Sequence, residues 1–314
     1  EAEFARAAAL GVGHVFLGEP SYPPLLAELA DPPPVLLVAG NTDLAARPTV
    51  AMVGARNASA AGLRLAEEMA ADLAEAGFVV VSGLARGIDG AAHMGALAAG
   101  ATIACVAGGP DIAYPPEHAG LQQEIAARGL LVSEMPCGVE PQARHFPRRN
   151  RLIAGIARAL VVVEAALGSG SLITARLATE AGRDVMAVPG HPRDPRARGP
   201  NGLIKEGAAL VEDAADVLAM LDPFRLPGVA PRQTRVREEP GAFPDEPEGA
   251  GETADPAVLL GLLSATPVAI DELVRRSGLP AGDVQAFLVG MEIDGRLVRH
   301  AGGRVALADG GGGF

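Results

Sequence analysis

An α/β fold, with a doubly wound and mostly parallel sheet ahead of a small C-terminal domain, is what the sequence predicts. Three observations carry it. From Val35 onward, short apolar runs alternate with Ala-rich segments whose apolar residues recur every three or four positions, the pattern of buried parallel strands joined by right-handed helical crossovers. The informative polar blocks open where those runs end, at Gly54, Gly83, Gly108, Glu164 and Gly190, and ligands of such sheets bind beyond the carboxyl ends of the strands. A proline-rich stretch then separates this Rossmann-like pattern from a different one, three short helices and a hairpin, which reads as a winged helix.

Taken in order, residues 1–20 read as an N-terminal remnant, and Glu1 in place of Met leaves the true N-terminus open. Residues 21–221 form the core. Its strands are expected at Val35–Ala39, Thr49–Val53, Phe78–Ser82, Thr102–Ala107, Leu130–Ser133, Ala159–Val163 and Asp184–Val188. Gly62–Ala76 and Ser171–Ala181 are among its helices. Residues 222–254 hold six prolines and no apolar periodicity, so they read as a flexible linker. Residues 255–308 give helices near 256–264, 269–277 and 281–293, then strands Arg296–Arg299 and Val305–Leu307, with Gly302 and Gly303 at the turn.

Composition narrows the function. Apolar residues are 49% of the chain, aromatics 3%, and Trp is absent, so the cores are built from Ala, Val and Leu. Two cysteines, one in an apolar run, favour a reducing cytoplasm over a disulfide framework. No signal peptide or membrane-spanning run is visible. A net charge of −12 argues against a nucleic-acid partner until its distribution is considered. Residues 140–205 carry eleven basic side chains against five acidic ones, whereas the winged-helix region carries five against six. A local basic patch on an acidic body suits local binding of a polyanion. It also makes strong non-specific duplex binding by the winged helix doubtful, and favours a protein-contact or autoregulatory role for it.

Several motifs bear on chemistry. HFPRRNRLIAG (His145–Gly155) sets Arg148, Arg149 and Arg151 around Asn150 and beside Phe146. Planar cationic forks and an amide next to an aromatic ring can hold phosphates while a base stacks. GSGSLITARLATEAGRDVMAVPG (Gly168–Gly190) is a glycine- and hydroxyl-rich turn leading into a helix, where free N–H groups attract anions; Ser169, Gly170, Ser171 and Thr174 lie there. A surface arginine cluster and an ordinary strand-to-helix turn would show the same residues.

Gly54-Ala55-Arg56 occupies the place of a dinucleotide fingerprint but lacks G-x-G-x-x-G, so no nicotinamide cofactor is expected. Arg56 sits against the helix dipole, which favours a ligand-facing role. Gly83 to Arg86 forms a second glycine-flanked turn, with Asp89 a helix cap and His93 one turn later; the pair reads as locking the loop. No cofactor or metal is expected, because no second histidine or cysteine has ligand spacing. The nucleophile elbow G-x-S-x-G is broken at its last glycine, and no catalytic residue is assigned. Glu164 could act as a base, though orienting an arginine is its simplest role.

The runs VGARNASAAG (Val53–Gly62), SGLARGIDGAAHMGAL (Ser82–Leu97), HFPRRNRLIAG, GSGSLITARLA, AVPGHP and GPNGLIKEGA (Gly199–Ala208) together resemble the DNA-processing protein A family, DprA/Smf. Six blocks stand in the family's order over roughly residues 20–220. The resemblance implies a non-enzymatic, cytoplasmic single-stranded DNA-binding protein that protects incoming DNA and loads RecA recombinase during natural transformation. It implies DNA contacts at Gly54, Arg56, Gly83, Arg86, Phe146, Arg148, Asn150, Arg151, Ser169, Gly170, Ser171, Thr174 and Lys205, with Arg56 on the backbone. It also implies a homodimer, for which Val217, Leu218 and Leu221 on the helix in Glu212–Leu221 are the candidate interface. The rival readings are a nucleotide-binding or nucleotide-hydrolysing enzyme, which Glu164 keeps open, and an adaptor working through its winged helix.

Overall fold

The computed structural model describes residues 2–221 and 256–308; the expected linker, 222–254, lies outside them. The elements run α1 (Ala2–Ala9), β1 (Gly13–Phe16), α2 (Pro24–Ala27), β2 (Val35–Gly40), β3 (Thr49–Val53), α3 (Ala60–Glu75), β4 (Val79–Ser82), α4 (Ile88–Ala99), β5 (Thr102–Cys105), α5 (Ala119–Arg128), β6 (Leu130–Ser133) and α6 (His145–Ile156). They continue β7 (Ala159–Val162), α7 (Gly170–Glu180), β8 (Asp184–Ala187), α8 (Arg198–Lys205), β9 (Ala209–Leu210) and α9 (Ala214–Leu221).

One nine-stranded sheet holds these strands in the order β1-β2-β6-β5-β4-β3-β7-β8-β9. From β6 to β9 every pairing is parallel, while β1–β2 and β2–β6 are antiparallel. The direction of winding reverses between β3 and β7, and at such a switch point adjacent strand-end loops diverge and leave a crevice. The central strands β3 to β7 are buried on both faces, as their unbroken apolar runs require. Residues 1–20 are not a separate remnant. Gly13–Phe16 pairs with Val35–Val38 and forms one edge of the sheet.

Small side chains set the helix packing. Ser59 caps α3 by accepting from the Gly62 N–H at 2.9 Å, and Ala66, Met69, Ala70, Leu73 and Ala74 turn inward at helical spacing. Helix α4 crosses α3 so closely that a Cβ on Gly95 would lie 2.0 Å from the Glu67 carbonyl oxygen. An Ala-rich core is thus compatible with dense packing, because the backbones themselves approach.

The C-terminal module comprises α10 (Pro256–Leu262), β10 (Val268–Ala269), α11 (Ile270–Ser277), α12 (Ala281–Ile293), β11 (Leu297–His300) and β12 (Arg304–Leu307). The expected winged helix is present, with β10 as a third strand on the far side of β12. The module is docked on the core. Ala60 and Leu63 of α3 pack into its hydrophobic cluster with Leu259, Leu263 and Val268.

The dimer face assigned to α9 is corrected. Val217 and Leu221 are buried against the protein's own sheet and α3, and Leu218 packs partly against the same cluster. The apolar stripe of that helix is consumed within the chain. Both cysteines are free and buried, and burial pushes the Cys105 thiol up to about 12. Among the described residues, no helix is long and apolar enough to cross a membrane.

Candidate nucleic-acid interface

Two cavities open along the strand ends at the switch point. The larger, about 890 Å³, lies between the β3 loop, α6 and the start of α7. The smaller, about 380 Å³, lies between the β3, β4 and β5 loops and Tyr114. Arg56, Asn57, Ala85, Phe146 and Arg149 border both, so the Phe146 ring stands as a partition between them.

The loop after β4 is held under strain. Leu84 is left-handed, with φ 56°, although it is fully buried; that conformation costs a leucine roughly 1–2 kcal/mol. Asp89 Oδ2 accepts from the Gly83 and Ala85 N–H groups at 3.1 and 3.4 Å, and His93 Nε2 accepts from the Leu84 N–H at 3.3 Å. Thr102 Oγ1 donates to Val80 O, so it accepts from His93 Nδ1 at 2.8 Å. His93 is therefore the neutral Nδ1–H tautomer, and burial, with His118 and Arg149 nearby, pushes it down to about 3. Asp89 and His93 lock the loop, as expected, but from separate sites rather than as a pair.

The basic block is a helix. Pro147 falls in the first turn of α6, where its missing N–H costs nothing, and consecutive residues consequently diverge. Arg148 points to solvent and borders neither cavity. Arg149 is buried beneath Phe146, its Nη1 donating to the Cys105 carbonyl at 2.9 Å, while its buried Nε has no partner among the described residues. Burial lowers the affinity of this guanidinium for its proton, offset by Asp89, yet a guanidinium stays charged at neutral pH. Arg56 and Arg149 place their Cζ atoms 5.3 and 6.0 Å from the Phe146 centroid, and Tyr114 tilts against the ring at 5.5 Å. The cations flanking Phe146 are thus Arg56 and Arg149, not Arg148.

The turn before α7 completes the larger cavity. Asn150 Nδ2 and Thr174 Oγ1 both donate to the Gly170 carbonyl at 3.3 Å, and the Ser169 and Ser171 hydroxyls share a hydrogen bond of 2.8 Å. Gly170 and Ser171, the first residues of α7, line this space, at the end of a helix where backbone N–H groups favour anions. Among the described residues, Glu164 orients no arginine. Its Oε2 and Oε1 accept from the Ser59 N–H at 2.8 Å and the Ser59 hydroxyl at 2.6 Å, which ties the β7 end to the cap of α3.

Four of the six sequence blocks converge on one groove of this sheet, and a family model matches the chain. The model for DNA recombination-mediator protein A covers residues 13–222, and that for the DprA winged helix domain covers residues 243–303. The chain belongs to the DprA/Smf family. Protein Smf of Synechocystis sp. is 37% identical over 91% of this chain and 78% of its own length. The DNA processing protein DprA of Streptococcus pneumoniae is 47% identical over 63% of this chain and 70% of its own, and the X-ray structure of DprA from that organism superposes with a TM-score of 0.65 at 43% identity, over 68% and 77% of the two chains. The structure of DNA processing protein A from Helicobacter pylori, described for its single-stranded DNA binding mode, gives 0.60 at 30% identity over 66% and 95%.

In this DprA/Smf chain, the groove brings together Gly54, Arg56, Phe146, Asn150, Ser169, Gly170, Ser171 and Thr174 around the larger cavity, and Gly83 and Arg86 around the smaller. Arg86 is ion-paired with Glu117. Lys205 is exposed at the end of α8 and borders neither cavity. Arg151 is corrected from ligand to strut. It pairs with Glu134 and with Asp31, whose carbonyl also accepts from it. The excess of positive charge over residues 140–205 is reduced in the same way, since Arg183 pairs with Glu28 from outside that stretch.

Tyr114 is a site residue that sequence reasoning passed over, and Arg149, read there as one of three phosphate-holding forks, was missing from the expected DNA contacts. The signal for Arg149 was the spacing Phe146, Arg149, Asn150, Ile153, one face of a helix. A further departure is the winged helix. Leu260, Leu263, Arg296 and Leu307 form one wall of the larger cavity, where a module apart from the groove was expected.

Proposed function

We propose that this chain binds single-stranded DNA along the two cavities without turning it over. The carrying observation is the Phe146 partition: an aromatic ring flanked by the Arg56 and Arg149 guanidiniums, with cavities on both sides. Such a ring takes any base, while the guanidiniums and the α7 N–H groups take phosphates. The single-strand binding described for the Helicobacter pylori relative supports the same reading. The finer role is also proposed: the chain protects incoming strands in the cytoplasm, loads RecA recombinase on them, and acts as a homodimer through a surface other than the buried face of α9. Against a hydrolase, Glu164 has its carboxylate committed to Ser59.

Titrating a labelled oligonucleotide across a salt series tests this. Affinity should favour single strand over duplex and fall with salt, each phosphate contact adding ~0.7 to the log–log slope. Salt-insensitive binding, a duplex preference, or release of free base from a nucleotide that disappears in Glu164→Gln would overturn it.

A further inference from the structure

Arg196 borders the larger cavity, yet its donors are committed to protein. Nε and Nη2 donate to the Asp194 carboxylate at 3.1 and 3.2 Å, Nη1 donates to Gly261 O and Nη2 to Leu263 O, both at 2.7 Å. The two carbonyls lie at the C-terminal end of α10, where helix carbonyls lack intrahelical partners. They meet the guanidinium as a pair of oxygens on adjacent donors, the arrangement a phosphodiester would adopt. On the core side, Asn57 of the β3 loop is packed against Gly261, where a Cβ would lie 2.9 Å from its Oδ1. Beside the apolar packing of Ala60 and Leu63, the module meets α3 through an ion pair, in which Arg276 Nη2 donates to Glu67 Oε2 at 3.1 Å. Helix α12 of the module carries Asp283 and Glu292 and no basic residue, so it offers a polyanion nothing in exchange.

Resting on the single-strand reading above, we propose that Arg196 is a phosphate-binding residue of the groove that the winged helix masks. A strand entering the larger cavity takes Arg196 from the α10 carbonyls and lifts the module off α3. Docking and strand binding compete for one guanidinium, so weakening the dock strengthens the grip on DNA.

The test uses the full chain. Glu67→Arg sets a cation opposite Arg276 without touching the groove, and Arg276→Glu attacks the same contact from the other side. Both should bind a labelled oligothymidylate several-fold more tightly than wild type. Spin labels at Asp43→Cys and Gln285→Cys should move apart when that strand is added to the wild-type background. Within Glu67→Arg, the further change Arg196→Ala should weaken binding and lower the salt slope by ~0.7, one phosphate contact. Equal or weaker binding by both dock variants, or a label distance unchanged at saturating strand, overturns the proposal. If no variant binds the strand while the labels report a docked module, the single-strand reading itself has failed, and this inference with it.

Discussion

Gly83 and Arg149 occupy adjoining space that only a glycine leaves free: a Cβ on residue 83 would lie 1.6 Å from Nη1 of Arg149. Gly83→Ala should therefore expel the guanidinium from its bond to the Cys105 carbonyl. Loss of a buried charge-assisted hydrogen bond costs on the order of 2–3 kcal/mol. Urea unfolding should register that loss, and oligonucleotide affinity should drop with it. Unchanged stability would show that Arg149 has another place to go.

Phe146→Leu removes the ring while keeping apolar volume. Stacking on an aromatic contributes ~1–3 kcal/mol per base, so single-strand affinity should fall by roughly one to two orders of magnitude. The salt slope should stay the same, because no phosphate contact is lost. A changed slope would mean that the ring acts by holding Arg56 in place.

Arg56→Gln and Arg151→Gln should separate ligand from strut. Arg56 is exposed and has no ion pair with a described residue, so its loss should flatten the salt slope by ~0.7 and leave stability nearly unaltered. Arg151→Gln strands the Glu134 carboxylate, whose side chain is 8% exposed. That should cost on the order of 2–3 kcal/mol in urea unfolding, with the slope unmoved. The reverse assignment of effects would restore Arg151 to the interface.

His93 makes stability depend on pH. Its folded value, about 3, lies below its ordinary value of 6.5. As pH falls through 6.5 the unfolded chain binds a proton that the folded chain refuses. The unfolded state then holds more protons, and the free energy of unfolding falls toward pH 3 by up to ~1.4 kcal/mol per pH unit. Above pH 6.5 neither state is protonated and the effect vanishes. His93→Gln should lose stability at neutral pH but decline less on acidification. Parallel curves for the two proteins would show that His93 is protonated in the fold.

The sheet was legible because β3 to β7 are buried on both faces and carry unbroken apolar runs, to which glycine-bearing loops are attached at one end. The edges were not. Strand β1 (GHVF) has one buried side chain and β9 has two residues, too little pattern to distinguish from loop. The basic block was legible in composition and misleading in geometry. Four consecutive residues, Arg148 to Arg151, meet solvent, the Cys105 carbonyl, the Gly170 carbonyl and Glu134 in turn. The acids that neutralise Arg151 lie 17 and 120 residues away, and only the folded chain brings them there. The winged helix was readable from its own helices and hairpin, but its seat on α3 depends on matching surfaces of two modules, which neither pattern records.

The bond from Arg149 to the end of β5 has a thermodynamic consequence. A free arginine side chain samples many rotamers, and fixing one costs up to ~2 kcal/mol of entropy. Here the guanidinium is immobilised when the chain folds, by a carbonyl that belongs to the sheet. A ligand that reaches it meets a donor already aimed, and its own binding is spared that loss. Rigidity written into the scaffold thus becomes affinity at the groove, a form of preorganisation.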